Sequence, residues 1–397
     1  MTGISSTFDR YETILTDLRS RSLLRHLRTV EEVSGTHITI DGRQLVNFAS
    51  NDYLGLSQSP ALKSAAREAI EKFGVGAAAS RLITGSQAPH RKLEQELAKF
   101  KGTESALLFS SGYAAAIGTL AGLAGPGDVI LLDKLVHACI IDGAKLSGAT
   151  IRVFPHNNVE RLRHHLVWAH ENYPLKRVFI ATESVFSMDG DLANLAEIVA
   201  LKNEFGAILL VDEAHALGVI GPRGAGLVHA LGLGNEVDIQ MGTLSKAIGV
   251  SGGFICGPSG LVQLLVNRAR SFIYSTAPPS ALAAAASASL EILQSDQGEQ
   301  LRKRLWDNIR LLTRLLETRG KPAYSPQSAI IPVLAGAEER AVQMAGDLLE
   351  KGFLIPAIRY PTVARGAARV RIALSAAHFS EQIERLAFAI NQWHWKT

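Results

Sequence analysis

The sequence predicts an α/β chain: a large, mostly parallel sheet domain followed by a smaller α+β unit. Three observations carry this. From about residue 60 to 290, short β-branched runs alternate with segments of helical periodicity, the order that builds parallel strands joined by crossover helices. Several of those runs are apolar throughout, as in Ile208-Leu209-Leu210-Val211, which suits strands covered on both faces. After about residue 290 the alternation gives way to a long amphipathic segment and then a mixed order of strands and helices.

The first 30 residues alternate apolar and charged positions at helical spacing. His37–Ile40 and Leu45–Phe48 flank Asp41-Gly42 and read as a hairpin. Sheet strands are expected at Ala106–Phe109, Val129–Leu132, Ile151–Phe154, Val178–Ala181, Ile208–Val211, Val237–Met241 and Gly253–Cys256. Beyond them come a helix over Gly298–Arg319, a strand at Ala329–Val333 and a helix near Glu338–Lys351. Strands near Phe353–Ile358 and Ala368–Leu374 and a last helix from Ser380 complete the order. The expected organisation is an N-terminal arm over 1–55, a large sheet domain over 56–290 and a small domain over 291–397.

Composition narrows the function. A chain of 397 residues with 47% apolar residues and a net charge of +4 is neither disordered nor dependent on a metal or disulfide to fold. Only Cys139 and Cys256 occur, so a disulfide framework or Cys-rich zinc module is excluded. Met1–Ser6 lacks a basic segment followed by an apolar run, and Tyr113–Gly125, the longest apolar stretch, is interrupted by Gly118 and Gly122. The expectation is a soluble, cytoplasmic protein. The basic positions, such as Arg19, Arg21, Arg25 and Arg28, lack an aromatic stacking platform and read as solvated faces, not a nucleic-acid site.

Chemistry first shows at Val211-Asp212-Glu213-Ala214-His215, where an apolar run ends in an acid at the carboxyl end of a strand, the place where open α/β sheets bind ligands. A nucleotide-hydrolase reading of this segment needs a P-loop. The only Gly-Lys pair, Gly320-Lys321, is followed by Pro322 and lacks the earlier glycine. Gly249-Val250-Ser251-Gly252-Gly253 fits the spacing of a nucleophile elbow. It stands between a polar loop and a strand, not between strand and helix, so it is discounted. Lys246 differs from an ordinary solvated lysine: it lies among small uncharged residues directly after a strand, a setting for an amine nucleophile. A strand-end Asp and such a Lys suit pyridoxal 5'-phosphate (PLP), whose ring nitrogen needs a buried carboxylate and whose aldehyde needs an amine. Ser110-Ser111-Gly112-Tyr113 supplies a helix start for its phosphate.

With these residues, the chain resembles the PLP-dependent α-oxoamine synthases of the fold-type I (aspartate aminotransferase-like) group. The resemblance runs from about Arg25 to His378 and rests on an ordered set of motifs. These are Asn51-Asp52-Tyr53-Leu54-Gly55-Leu56, Ser80-Arg81-Leu82-Ile83-Thr84-Gly85, Ser110-Ser111-Gly112-Tyr113, Val185-Phe186-Ser187-Met188-Asp189-Gly190-Asp191, Val211–His215, Thr243-Leu244-Ser245-Lys246 and Ala357-Ile358-Arg359-Tyr360-Pro361-Thr362-Val363.

By position, the resemblance implies that Lys246 holds the cofactor aldehyde as an aldimine and later removes the substrate's α-proton. Asp212 would pair with the pyridinium nitrogen, His215 and Ser187 with the ring hydroxyl, and His137 would stack on the ring. Gly112, Tyr113 and Thr243 would line the cofactor and its phosphate. Ser275 and Thr276 would reach the phosphate of a partner subunit, implying a homodimer. Arg371 would clamp the amino-acid carboxylate, while Arg25, Asn51 and Thr362 would meet the acyl substrate. The implied reaction is a decarboxylative Claisen condensation. Its substrates are expected to be L-alanine and a pimeloyl thioester of coenzyme A or acyl-carrier protein, as in the biotin-pathway members. Glycine- or serine-using synthases with other acyl chains, and an aminotransferase, are the alternatives. Tyr360 and Cys139 depart from the family pattern, where Pro and Ser are usual. The glycines near Ser111, Asp189 and Lys246 are expected to let backbone approach a cofactor closely.

Overall fold

The computed structural model describes residues 9–316 and 326–393. Met1–Ser6, the expected helix end at Arg319 and the Gly320-Lys321-Pro322 run lie outside the described residues. The chain divides into two compact units, one formed by Asn51–Trp306 and the other by the N-terminal stretch to Ser50 with the chain from Asp307 onward.

The N-terminal stretch holds α1 (Asp9–Ser20), β1 (Glu32–Ser34), β2 (His37–Ile40) and β3 (Arg43–Asn47). The helix is shorter than the helical spacing over the first 30 residues suggests: Ser22 takes a φ of 54°, which breaks it. The β2–β3 hairpin turns on Asp41 and Gly42, both at positive φ (50° and 68°), the pair of angles that matches the strand twist.

The larger unit runs α2 (Pro60–Phe73), α3 (Ala88–Phe100), β4 (Ser105–Phe109), α4 (Gly112–Leu123), β5 (Val129–Asp133), α5 (Ala138–Ser147), β6 (Thr150–Phe154), α6 (Val159–Asn172), β7 (Val178–Glu183) and α7 (Leu195–Phe205). It continues with β8 (Ile208–Asp212), α8 (Leu227–Ala230), β9 (Ile239–Thr243), β10 (Gly253–Gly257), α9 (Ser259–Arg268), α10 (Arg270–Ile273) and α11 (Ser280–Leu293). All seven expected strands join one sheet, in the order β4-β10-β9-β8-β7-β5-β6. The pairs among β5, β6, β7, β8 and β9 are parallel, and β10 runs antiparallel to both β4 and β9. Every residue of β5, β7, β9 and β10 is buried, as continuous apolar runs require. The strand order matters for the site. The chain leaves β5 toward β6 on one side and leaves β7 toward β8 on the other, so the loops after β5 and β7 diverge at a topological switch point. Such a crevice is where open α/β sheets take ligands.

From α12 (Asp296–Leu316) the chain passes to β11 (Ile330–Gly336), α13 (Glu338–Glu350), β12 (Phe353–Leu354), β13 (Ala357–Ile358), β14 (Ala368–Ala373) and α14 (Ser380–Asn391). The strand region expected over Phe353–Ile358 is two short strands in different sheets. β12 pairs parallel with β3, and β13 pairs antiparallel with β14. Pro356 explains the break: it has no N–H for a ladder, while its carbonyl accepts from the Arg371 N–H at 3.2 Å. In the same unit His378 is buried and stacked on Phe48 with ring centroids 4.1 Å apart, and burial pushes its imidazole down to about 4.

Candidate active site

The carboxyl ends of β5, β7, β8 and β9 bring together much of the expected set. Asp212 ends β8, buried, with Oδ1 accepting the Ala214 N–H at 2.9 Å. Burial raises its carboxyl above the usual range, and the Lys246 ammonium opposes that rise. Lys246 follows β9, its Nζ lying 2.9 Å from His215 Nε2. His215 Nδ1 lies 2.6 Å from the Tyr53 hydroxyl, which donates to Asn51 Oδ1 at 3.1 Å. That last bond uses the Tyr53 hydrogen. The arrangement satisfying every group has His215 Nδ1–H donating to Tyr53 and Nε2 accepting from Lys246. Tyr53 is wholly buried, so its ring holds His215 in place. This tyrosine lies in a motif the sequence singles out, yet only the fold shows its contact.

Thr243 ends β9; its hydroxyl donates to the Gly252 carbonyl at 2.9 Å and lies 2.7 Å from Ser245 Oγ, pinning the segment that leads to Lys246. On the facing side, Ser111 caps α4 by accepting the Ala114 N–H at 3.0 Å. Gly112 and Tyr113 occupy the first turn of α4, where backbone N–H groups and the helix dipole favour an anion. Tyr113 is half exposed and donates to Asp142 at 2.7 Å, and that carboxylate raises its phenol above the usual range. A Cβ on Gly253 would come within 2.5 Å of the Ser111 backbone, and one on Gly249 within 2.6 Å of the Ser57 nitrogen. The glycines beside Lys246 therefore admit neighbouring protein backbone, a use that cofactor approach alone did not suggest.

His137 precedes α5 and caps it, Nδ1 accepting the Cys139 N–H at 3.3 Å; the buried Cys139 thiol lies 3.0 Å from the same nitrogen. Burial is the main cause lowering the His137 imidazole, with Asp212 and Lys246 acting on it in opposite senses. Ser187 is buried in the turn after β7. Two residues outside the expected set also stand here. Glu183, at the end of β7, is paired in register with Asp212. His156 is clamped between Asp133 (Nδ1–Oδ1 3.0 Å) and Asp191 (Nε2–Oδ2 2.7 Å). The rule that picks out Asp212, an acid closing an apolar run, would also have found Glu183.

The remaining expected residues are placed differently. Thr276 bridges to Ser80, and Ser275 donates within its own turn to the Thr276 carbonyl at 3.3 Å. Arg25, Thr362 and Arg371 belong to the other unit. There Arg25 and Thr362 are exposed, and Arg25 helps lower the Arg359 guanidinium, whose main cause is burial. Arg371 is buried on β14, the central strand of its three-stranded sheet, so it is no strand-edge surface charge.

The donor set fits a phosphorylated aldehyde. It offers a buried carboxylate for a ring cation, an amine beside an imidazole, and a capped helix start for a phosphate. Among the described residues no group of His, Cys, Asp and Glu could hold a metal ion. No described helix is long and apolar enough to cross a membrane.

Residues 43–390 match the family described as aminotransferase class I and II. The chain is 44% identical over 376 residues to the 8-amino-7-oxononanoate synthase of Geobacter sulfurreducens, covering 95% of each. Among solved structures, a serine palmitoyltransferase variant from S. paucimobilis with a bound PLP–myriocin aldimine superposes with a TM-score of 0.90 at 32% identity, covering 98% of this chain and 97% of that one. The 8-amino-7-oxononanoate synthase from Francisella tularensis gives a TM-score of 0.73 at 29% identity, with 88% and 97% covered.

Proposed function

The chain belongs to the class I and II aminotransferase family of PLP-dependent enzymes, and from that premise we propose that it is an α-oxoamine synthase. It joins the Cα of a small amino acid to the carbonyl carbon of an acyl thioester and releases CO2 and free thiol. The carrying observation is the Lys246 amine held 2.9 Å from His215 Nε2, beside the buried strand-end carboxylate of Asp212.

When bound, PLP withdraws electrons from the substrate's Cα, so that first its proton and later its carboxylate can leave. The chain's own residues set this up. Gly112 and Tyr113, in the first turn of α4, offer N–H groups to the phosphate. Asp212 stabilises positive charge at the ring nitrogen, and His137 provides a neutral ring to lie against it. His215 accepts a hydrogen bond from Lys246 and so orients Nζ, while Tyr53 and Asn51 hold His215. Lys246 takes the Cα proton, which leaves on the thiol as the C–S bond breaks and the C–C bond forms. Loss of CO2 is then matched by a proton returned to Cα. Arg371 is assigned to the substrate carboxylate and Arg25, Asn51 and Thr362 to the acyl group. Ser187 is assigned to the ring hydroxyl, Thr243 to the phosphate, and Ser275 and Thr276 to the phosphate bound by a second copy in a homodimer.

The substrate pair is proposed as a class, a small α-amino acid and an acyl thioester. Relatives named 8-amino-7-oxononanoate synthase support L-alanine with a pimeloyl chain, and the serine palmitoyltransferase likeness supports L-serine with a longer one. One assay separates these. The PLP-loaded protein is given L-alanine, glycine or L-serine with pimeloyl or palmitoyl thioester, and CO2 and thiol are followed. Release of both with one pair is expected; a keto acid formed without CO2 would overturn the synthase reading in favour of an aminotransferase.

A further inference from the structure

We propose that Glu183 is a positioning residue that works as a neutral carboxylic acid, tying the His137 and Ser187 segments to the strand ends while Asp212 carries the site's one carboxylate charge. The role given to Asp212 rests on the PLP reading above; the state of Glu183 does not.

Glu183 and Asp212 close adjacent parallel strands and are opposite each other in register, 2% and 5% exposed. β7 and its other neighbour β5 border the switch point, so Glu183 stands at the mouth of the ligand crevice. The backbone N–H groups of His137, from the loop after β5, and of Ser187, from the loop after β7, face its carboxyl group and act on it. One side chain thus holds the two diverging loops that carry the ring-stacking and hydroxyl-binding candidates.

The charge count decides its state. The groups acting on Glu183 are Asp212 on β8, Lys246 after β9, and the backbone N–H groups of His137 and Ser187. Cys139, whose buried thiol is raised further by Asp212 and Glu183, stays protonated, and burial keeps the His137 imidazole neutral. Two buried carboxyl groups thus face each other, and Lys246 is the cation among the groups acting on Glu183, so ionising both would place like charges side by side out of water. Asp212 Oδ1 accepts the Ala214 N–H, whereas Glu183 has an oxygen that no group meets. Burial first and Asp212 second push Glu183 up to about 8. Glu183 Oε1 is buried with no hydrogen-bond partner. An oxygen buried without a partner costs far less as part of a neutral acid than as part of a charged carboxylate.

The test uses the full chain labelled with 13C at the Glu carboxyl carbon, read with and without PLP. In the apo protein near neutral pH, one Glu signal should lie at the position of a protonated acid, vanish in Glu183→Gln and titrate near pH 8. PLP affinity, followed by its visible absorbance, should fall about tenfold or more in Glu183→Ala, which leaves the His137 and Ser187 N–H groups unpaired. Glu183→Gln, a neutral isostere, should restore most of that loss and remove an alkaline limb near pH 8 from the affinity profile. A carboxylate signal for Glu183 at about pH 6, roughly two units below that titration, overturns the proposal, as does Glu183→Gln binding no better than Glu183→Ala. A wild-type protein that binds no PLP would instead overturn the reading of function, leaving the apo spectrum to judge Glu183.

Discussion

Two lysines flank the same four residues, Asp212-Glu213-Ala214-His215, and they live in opposite conditions. Lys101 is 1% exposed, ion-paired with the equally buried Glu213 and donating to the Ala225 carbonyl at 2.5 Å. The other Glu213 oxygen accepts the Val228 N–H at 2.9 Å, and Gly226 leaves no room beside the carboxylate for a Cβ. Lys246 is only partly buried, and its Nζ lies 2.9 Å from an imidazole that can accept its proton. Successive side chains of extended backbone face opposite ways, so neighbouring acids serve different lysines. A motif that reads as one unit in sequence thus falls into two parts: Glu213 closes a buried ion pair, and Asp212 with His215 stands beside Lys246, where the chemistry is proposed.

The comparison is open to direct attack. Its largest expected consequence is in Lys246→Ala, which should lose the borohydride-fixable cofactor and about 10²–10⁴-fold in CO2 and thiol release, with unchanged near-ultraviolet circular dichroism. Normal turnover by that variant would remove Lys246 from the chemistry. Lys101→Met should behave in the opposite way. It strands a buried carboxylate and should cost about 3–5 kcal/mol in urea unfolding, while turnover per folded molecule is kept. Adding Glu213→Gln to Lys101→Met should recover part of that stability, because the stranded charge is gone.

A smaller effect is expected at His156, a second carboxylate-clamped cation that sharpens the structural side of the contrast. Although burial alone would lower its imidazole, the hydrogen bonds to Asp133 and Asp191 raise it to about 10. A raised folded value means its contribution is complete below the ordinary value of about 6.5 and is lost as pH rises toward about 10. His156→Asn should therefore lower stability by about 1.5–3 kcal/mol near pH 6 and by progressively less toward pH 10. A pH-independent difference in unfolding midpoint would show that the charge is not what matters. The smallest change is Tyr53→Phe, which removes one bond to His215 and should cost about 1 kcal/mol. It should shift the pH profile of turnover more than stability, since His215 touches Lys246.

Legibility from sequence follows how local each cause is. The seven sheet strands could be read because apolar β-branched runs bounded by turns are local signals, and the Asp41-Gly42 turn because its positive φ angles favour those residue types. Asp212 and Lys246 could be read because both stand where an apolar run ends. The limits have equally particular reasons. The region Phe353–Ile358 looks uniform in pattern, yet its two halves choose partners from different sheets, a choice made by β3 and β14. Arg371 carries no sign in its neighbours that it is buried.

By itself, then, the sequence determined the alternating α/β order and placed Asp212 and the proposed amine, Lys246, at strand ends, because periodicity and chain direction are properties of adjacent residues. Only the tertiary structure decided which acid faces which lysine, that Tyr53 holds His215 from 162 positions away, and that Glu183 shares a buried strand end with Asp212. Burial and register set those partnerships, and both are sums over segments that meet only when the sheet is assembled.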